Sequence, residues 1–419
     1  MKHVIGLRCV ICGELYQPND VQYVCPKHGN EGILDVEYDY KKIAKEDIVI
    51  EPDLNQGMFV YRSLLPIHAT IPIPPLKVGA TPLYAAPRLA EANNVAEVWL
   101  KDDGRNPTGS LKDRASAIAI MKAQEVEAEI VTTASTGNAA AALAGLAASV
   151  GQKTVIFVPA SAPPAKIAQL LVYGANVLLV EGTYDDAFEL CLEATHEFGW
   201  YCRNTGYNPY MAEGKKTVTY ELYDQLAAQP PPQFPISHIF VSVGDGCIIS
   251  GVYKGLTDLI GIGRLPTMPK IIGVQAEGSN YLYEAWRNGE DVLTKPPIKA
   301  NTIADSISAG LPRDRIKALT AVSQSNGAFI QVSDQEILAA IPRLAQGSGV
   351  FAEPAGAAAY AGLQKAAQNG LVDKEDRVAL IITGNGLKDV KSAMQATGQA
   401  KQIPPTLTAV KQVMKEIKD

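Results

Sequence analysis

Four soft donors lie close together near the start of the chain: Cys9-x2-Cys12, twelve intervening residues, then Cys25-x2-His28. Two such pairs are the spacing by which two short turns hold a tetrahedral zinc ion, so a structural zinc ribbon is expected there, with ordinary reduced thiols as the competing reading. Cys191, Cys202 and Cys247 stand singly. A different chemistry is offered by Lys112, at the end of the turn-rich run Asn106-Pro107-Thr108-Gly109-Ser110-Leu111 and the start of a helix holding Ala115 to Met121. A helix start disfavours positive charge, so a lysine there loses its proton readily and can form a Schiff base. From this segment alone a solvated helix-end lysine paired with Asp113 is the better reading.

Three further loops are rich in groups that receive anions. Thr133-Ala134-Ser135-Thr136-Gly137-Asn138 follows an apolar run and precedes an alanine-rich helix, where free N–H groups and the helix dipole favour a carboxylate or phosphate. A simple polar cap accounts for one such residue better than for four. Val243-Gly244-Asp245-Gly246-Cys247-Ile248 has glycines that let the backbone approach a phosphate, yet it matches neither a P-loop nor G-x-G-x-x-G. Ile382-Thr383-Gly384-Asn385-Gly386-Leu387-Lys388-Asp389 ends a buried run in a hydroxyl and two glycines.

The elements that must hold these loops are legible as brief apolar runs alternating with helical stretches. Val98–Leu100, Ile130–Thr132, Val155–Val158, Val177–Val180, Ile239–Val243, Ile271–Val274 and Val378–Ile382 read as strands covered on both faces. Their alternation with helices predicts an α/β fold with parallel sheets, whose ligands bind at the carboxyl ends of the strands. Lys41 to Pro75 reads as an extended arm, Pro230-Pro231-Pro232 as the end of a helix, and Val410, Val413, Met414 and Ile417 as one docked face of a terminal helix.

With 419 residues, 47% of them hydrophobic and 20% charged, the chain has the makings of several packed units and a pocket-sized core. The net charge of −6 with scattered cations argues against nucleic acid as a partner. No run of about 18 apolar residues and no secretory leader is visible, so no membrane partner and a cytosolic location are expected.

Taken together, Asn106 to Arg114, Ser135-Thr136-Gly137-Asn138 and Thr383-Gly384-Asn385-Gly386-Leu387-Lys388-Asp389 resemble the threonine synthases, of the fold-type II pyridoxal-phosphate enzymes or tryptophan synthase β group. Gly79-Ala80-Thr81-Pro82-Leu83, Asn208-Pro209-Tyr210 with Glu213-Gly214, and Glu353-Pro354-Ala355-Gly356 extend the resemblance over nearly the whole chain. The cysteine-bearing start is similar to the zinc-ribbon-like extension of some members.

The resemblance implies a zinc-ribbon-like module at 1–40 and a two-lobed catalytic body at 41–419, with a mobile small lobe at roughly 115–205. It makes Lys112 the Schiff-base lysine. Asn138 would bond the ring hydroxyl oxygen of pyridoxal 5'-phosphate, Thr383 the pyridine nitrogen, and Gly244, Asp245, Gly246, Cys247 and Ile248 the cofactor phosphate. Thr81, Ser135 and Thr136 would contact the α-carboxylate of a small amino-acid substrate, and Thr302 to Ile307 would line the substrate side. A homodimer is implied as well. The activity implied is conversion of O-phosphohomoserine and water to L-threonine and phosphate.

Two departures matter. Cys247 and Ile248 stand where the family more often has glycine and asparagine, which alters the detail of the phosphate loop and not the cofactor; the other is more serious. Many relatives carry an arginine that grips the substrate phosphate where this chain has Met211, and methionine cannot pair a phosphate. Either Lys215, Lys216, Arg105 or Arg203 substitutes, or the chain is another β-replacement or elimination enzyme, of the cysteate synthase, cysteine synthase or threonine dehydratase type.

Overall fold

A computed structural model describes residues 1, 3–45, 56–135, 137–162, 164–229 and 235–418. Within them, β1 (Val4–Cys9), β2 (Leu15–Tyr16) and β3 (Leu34–Tyr38) form an antiparallel sheet in the order β2–β1–β3. Next along the chain come β4 (Leu83–Ala85) and β5 (Glu97–Asp102), then β6 (Ile130–Ala134), β7 (Lys153–Pro159), β8 (Asn176–Val180) and β9 (Tyr201–Cys202). The last strands are β10 (His238–Ser242), β11 (Lys270–Ala276), β12 (Ala328–Val332) and β13 (Arg377–Ile382). They pair into a six-stranded sheet, β12–β11–β10–β13–β5–β4, and a four-stranded sheet, β8–β7–β6–β9. All pairs in these two sheets are parallel except the edge pair β4–β5.

The predicted α/β architecture is therefore present, for the reason the apolar runs suggested. Every residue of β10 is buried, Phe240 lying between Ile272 of β11 and Leu380 of β13, because helices cover both faces. The helix Lys112–Glu125 packs against both Asn138–Val150 and Met211–Lys215, and residues 113–123 of it are buried.

The amino-terminal sheet is docked rather than tethered. Lys254 donates to the Val36 carbonyl at 2.6 Å, Lys317 to that of Leu34 at 2.7 Å, and Tyr38 to the Glu213 carboxylate. On the other side the Tyr23 hydroxyl accepts from the backbone N–H of Cys202 in β9 at 2.8 Å.

Several expectations need correction. The stretch read as an extended arm includes a 3-10 turn, Gly57–Leu64, that buries Met58, Phe59, Tyr61 and Leu64; residues 46–55 of that stretch lie outside those described. Its prolines masked an apolar set that belongs to the core. Among the described residues, the terminal helix Leu407–Lys418 leaves much of the predicted docking face open: Leu407 is 69% exposed, Val410 41% and Met414 43%. Strands β9 and β12 went unread, the first being two residues long and the second an edge strand with Gln331 in it. Pro230-Pro231-Pro232 lies outside the described residues.

Candidate active site

The carboxyl ends of β6 and β10 face a cavity of about 230 Å³ whose wall includes Lys112, Ser135, Asn138, Arg203, Lys215 and the loop Gly244–Ile248. Lys112 is the first residue of its helix, and the turn before it is stitched to the loop after β13: the Leu111 N–H donates to the Thr383 carbonyl at 2.9 Å. Asp113 does not pair with Lys112. Its carboxylate accepts from the Thr108 N–H at 2.8 Å and hydroxyl at 2.6 Å, bracing the turn instead. Burial pushes the Lys112 amine down to about 8; Lys215 and Arg203 act in the same direction, against Glu353. A neutral amine at the base of a cavity is a nucleophile and a proton carrier.

The glycine loop is shaped by close approach. A side chain on Gly244 would place Cβ 2.7 Å from the Ile307 Cα, and Gly246, at φ +93°, would meet Ala318 Cβ at 2.9 Å. No side chain caps the helix Cys247–Gly261 that follows, so its first N–H groups are free for an anion. The N-cap of the helix Asn138–Val150 is Gly137, which has no side chain to cap it. Ser135 precedes it, its hydroxyl accepting from the Gly137 N–H at 3.2 Å. Asn204 fixes the end of β6 by accepting from the Thr133 hydroxyl and the Ala134 N–H, both at 2.9 Å.

Asn138 donates to Glu353 at 2.6 Å and to Ser306 at 3.1 Å. Glu353 was quoted in the sequence only as part of a motif, with no role. Its carboxyl is raised by burial despite Lys112, and Gly384 must be glycine because a Cβ there would collide with Glu353 Oε1. Of the stretch Thr302 to Ile307, Asp305, Ser306 and Ile307 line the cavity. A second cavity of about 370 Å³ shares Gly137, Asn138, Asp305 and Ser306 with the first and extends to Lys388.

Not every expected residue joins this group. The Thr81 hydroxyl is buried and donates to Asp103 at 2.6 Å, within a cluster of Lys101, Asp103, Arg114 and Glu221, and Thr81 is not on the cavity wall. Its polar capacity is taken up by that charge network. Thr136 lies outside the described residues. Thr383 is placed beside Leu111, its hydroxyl buried and without a partner, but it does not line the cavity; Ser242, which went unremarked in the sequence, does line it and is equally unpartnered. Met211 is fully buried in the core.

A free lysine amine, uncapped helix starts beside a tight glycine loop and orphaned buried hydroxyls fit pyridoxal phosphate, an aldehyde bearing a dianion and a ring with polar edges. Fold and site together define a fold-type II pyridoxal-phosphate enzyme. The family model for "Pyridoxal-phosphate dependent enzyme" matches residues 75–384. Threonine synthase of Methanocaldococcus jannaschii is 35% identical over 415 residues, 98% of this chain and 99% of its own. That of Methanosarcina acetivorans is 36% identical over 97% of this chain and 98% of its own. Among solved structures, Escherichia coli diaminopropionate ammonia lyase aligns over 83% of this chain and 92% of its own (TM-score 0.66, 19% identity), sharing the fold. The chain belongs to the pyridoxal-phosphate dependent enzymes and, within them, to the threonine synthases.

Away from this cavity, Cys9, Cys12, Cys25 and His28 bring their donor atoms within 4.8 Å of one another. The Cys12–Cys25 sulfurs are 3.9 Å apart, and His28 Nδ1 is 3.8 Å from Cys9 Sγ and 3.5 Å from Cys25 Sγ. Zinc bonds of about 2.3 Å to sulfur and about 2.0–2.1 Å to nitrogen, set tetrahedrally, give edges of about 3.5–3.8 Å, close to these three of the six. A Cβ on Gly32 would lie 2.7 Å from both Cys25 Cβ and His28 Cβ, so the turn admits only glycine.

Proposed function

We propose that this chain converts O-phosphohomoserine and water to L-threonine and phosphate, with Lys112 as the residue that binds the cofactor and moves the protons. The Lys112 amine on the wall of a cavity it shares with the glycine loop is the observation that carries this reading, and desolvation holding that amine below its ordinary value agrees with it.

Pyridoxal phosphate, when bound, supplies an aldehyde for an amine to condense with and a ring that draws electrons from the substrate's α carbon. Free N–H groups at Gly244–Ile248 would take its phosphate, and Asn138 and the orphaned Ser242 hydroxyl, on the same wall, would bond its ring; the role of Thr383 at the pyridine nitrogen rests on the family resemblance alone. Ser135, with Thr136, would take the substrate carboxylate at the start of the next helix.

Lys112 Nζ would then accept protons from the α and β carbons, deliver one to the γ carbon once the phosphate has left and, after water has added at the β carbon, one to the α carbon. The lobe built on β6–β9 would exclude water until that addition. Its contacts across the cleft include the ion pairs Lys166–Asp305 and Arg313–Asp185, whose acidic partners are 50% and 60% exposed. Such half-exposed pairs contribute little and break readily.

Cys9, Cys12, Cys25 and His28 would hold a structural zinc ion, supported by the fit of their spacing to a tetrahedron. Homodimer formation and a cytosolic location rest on the family resemblance and the sequence patterning.

Product analysis is the test. Holoenzyme given O-phosphohomoserine should form threonine and phosphate in equal amounts, whereas turnover of O-phosphoserine alone would transfer the chain to the β-replacement class.

A further inference from the structure

Four cations stood open in the sequence as substitutes for the arginine that position 211 lacks, and the fold disposes of them differently. Arg105 is exposed and off the cavity wall. Lys216 is locked between Glu213 at 2.5 Å and Asp258 at 2.7 Å. Lys215 is on the wall as well, but its ammonium is a point charge without the planar fork that matches a phosphate at two points.

Arg203 is the remaining one. It follows β9, its N–H donates to the Thr132 carbonyl at 2.8 Å, and its Nε donates to Ser116 Oγ at 3.1 Å. The side chain is only 1% exposed, it lines the cavity, and its Nη2 is buried with no hydrogen-bond partner. Among the described residues no carboxylate pairs with it. The acidic groups on the same wall are turned elsewhere: Asp245 accepts from Thr205 Oγ1 and the Arg313 N–H, both at 3.4 Å, and Asp305 pairs with Lys166. Glu353, behind Asn138, accepts from that amide. A desolvated guanidinium without an anion is costly, and a planar fork of donors matches a phosphate in two-point fashion. Asn204, the next residue, anchors the strand end that leads to Ser135, and the Arg203 fork opens on the same cavity.

We propose that Arg203 grips the phosphate of the substrate, the role Met211 cannot fill, and so sets the preference for a phosphorylated over an unphosphorylated amino acid. This rests on the threonine synthase reading, but its test separates from it. Inorganic phosphate is titrated into holoenzyme, whose cofactor cradle is already filled, for the wild type, Arg203→Gln and Arg203→Lys, with bound cofactor quantified by absorbance. Arg203→Gln should bind phosphate about 30- to 100-fold more weakly with cofactor content unchanged, and should raise KM for O-phosphohomoserine similarly while changing kcat less. Arg203→Lys, a point charge in place of a fork, should show a loss of about 5- to 10-fold, and it carries the test if the glutamine variant does not fold.

Phosphate affinity and KM unaltered in both variants would overturn the proposal, as would a weakened phosphate affinity traced to lost cofactor. If wild-type holoenzyme binds phosphate through Arg203 but leaves O-phosphohomoserine untouched, the functional reading falls and the anion site stands.

Discussion

At the scale of single residues, the account turns on the protonation of one amine. An ordinary lysine titrates near 10.4, whereas burial places Lys112 at about 8. Only the neutral form condenses with an aldehyde. The rate at which apoenzyme captures pyridoxal phosphate should therefore climb about tenfold per pH unit below 8 and level off above it, followed by absorbance. A rate still climbing at pH 10 would mean that Lys112 is an unperturbed lysine. Lys112, Asn138 and the glycine loop were legible because each sits in a short motif whose chemistry is local. Glu353 was not, since its place is made by a distant glycine, Gly384, that leaves room for its carboxylate. Thr81 misled for the opposite reason. A hydroxyl in a recognisable segment carries no sign that Asp103 and Arg114 have already claimed it.

At the scale of elements, a buried charge network holds the segment before β4 against the helices around it. Arg114 lies between Asp103 at 2.6 Å and Glu221 at 2.7 Å, and Glu221 also receives Lys101 at 2.7 Å. Burial pushes the Glu221 carboxyl up, but Arg114 and Lys101 outweigh it and hold it well below the carboxylate range. A carboxyl depressed on folding stabilises the protein above its unfolded value of about 4.3, and that contribution is lost as pH falls towards the folded value. Glu221→Gln should cost about 3–5 kcal/mol at pH 7 by leaving buried cations short of an anion. The gap in urea stability between variant and wild type should narrow below about pH 4; a gap constant with pH would refute the electrostatic origin. None of this network is visible from spacing, because Lys101, Asp103, Arg114 and Glu221 read singly as surface charges. Strands were easier, since β5, β10 and β13 are continuous apolar runs, while β9 owes its existence to its pairing with β6.

At the scale of the whole molecule, the amino-terminal sheet bridges the chain. It reaches β9 of the small sheet through Tyr23 and the helices of the larger one through Lys254 and Lys317. Purified protein should contain about one zinc ion per chain, and a strong chelator or Cys9→Ser with Cys12→Ser should lower the melting temperature of the catalytic body as well as release the metal. Protein free of zinc by elemental analysis would leave the ribbon as a metal-free fold. The docking of this module was beyond the reach of the sequence, which showed the ligands but not the distant lysines that receive it.

The central claim, that phosphate leaves from the γ carbon and water enters at the β carbon, is tested most directly by running the reaction in water labelled with oxygen-18. The label should appear in the threonine hydroxyl and not in the released phosphate. Labelled phosphate together with homoserine would show simple hydrolysis of the ester and contradict it.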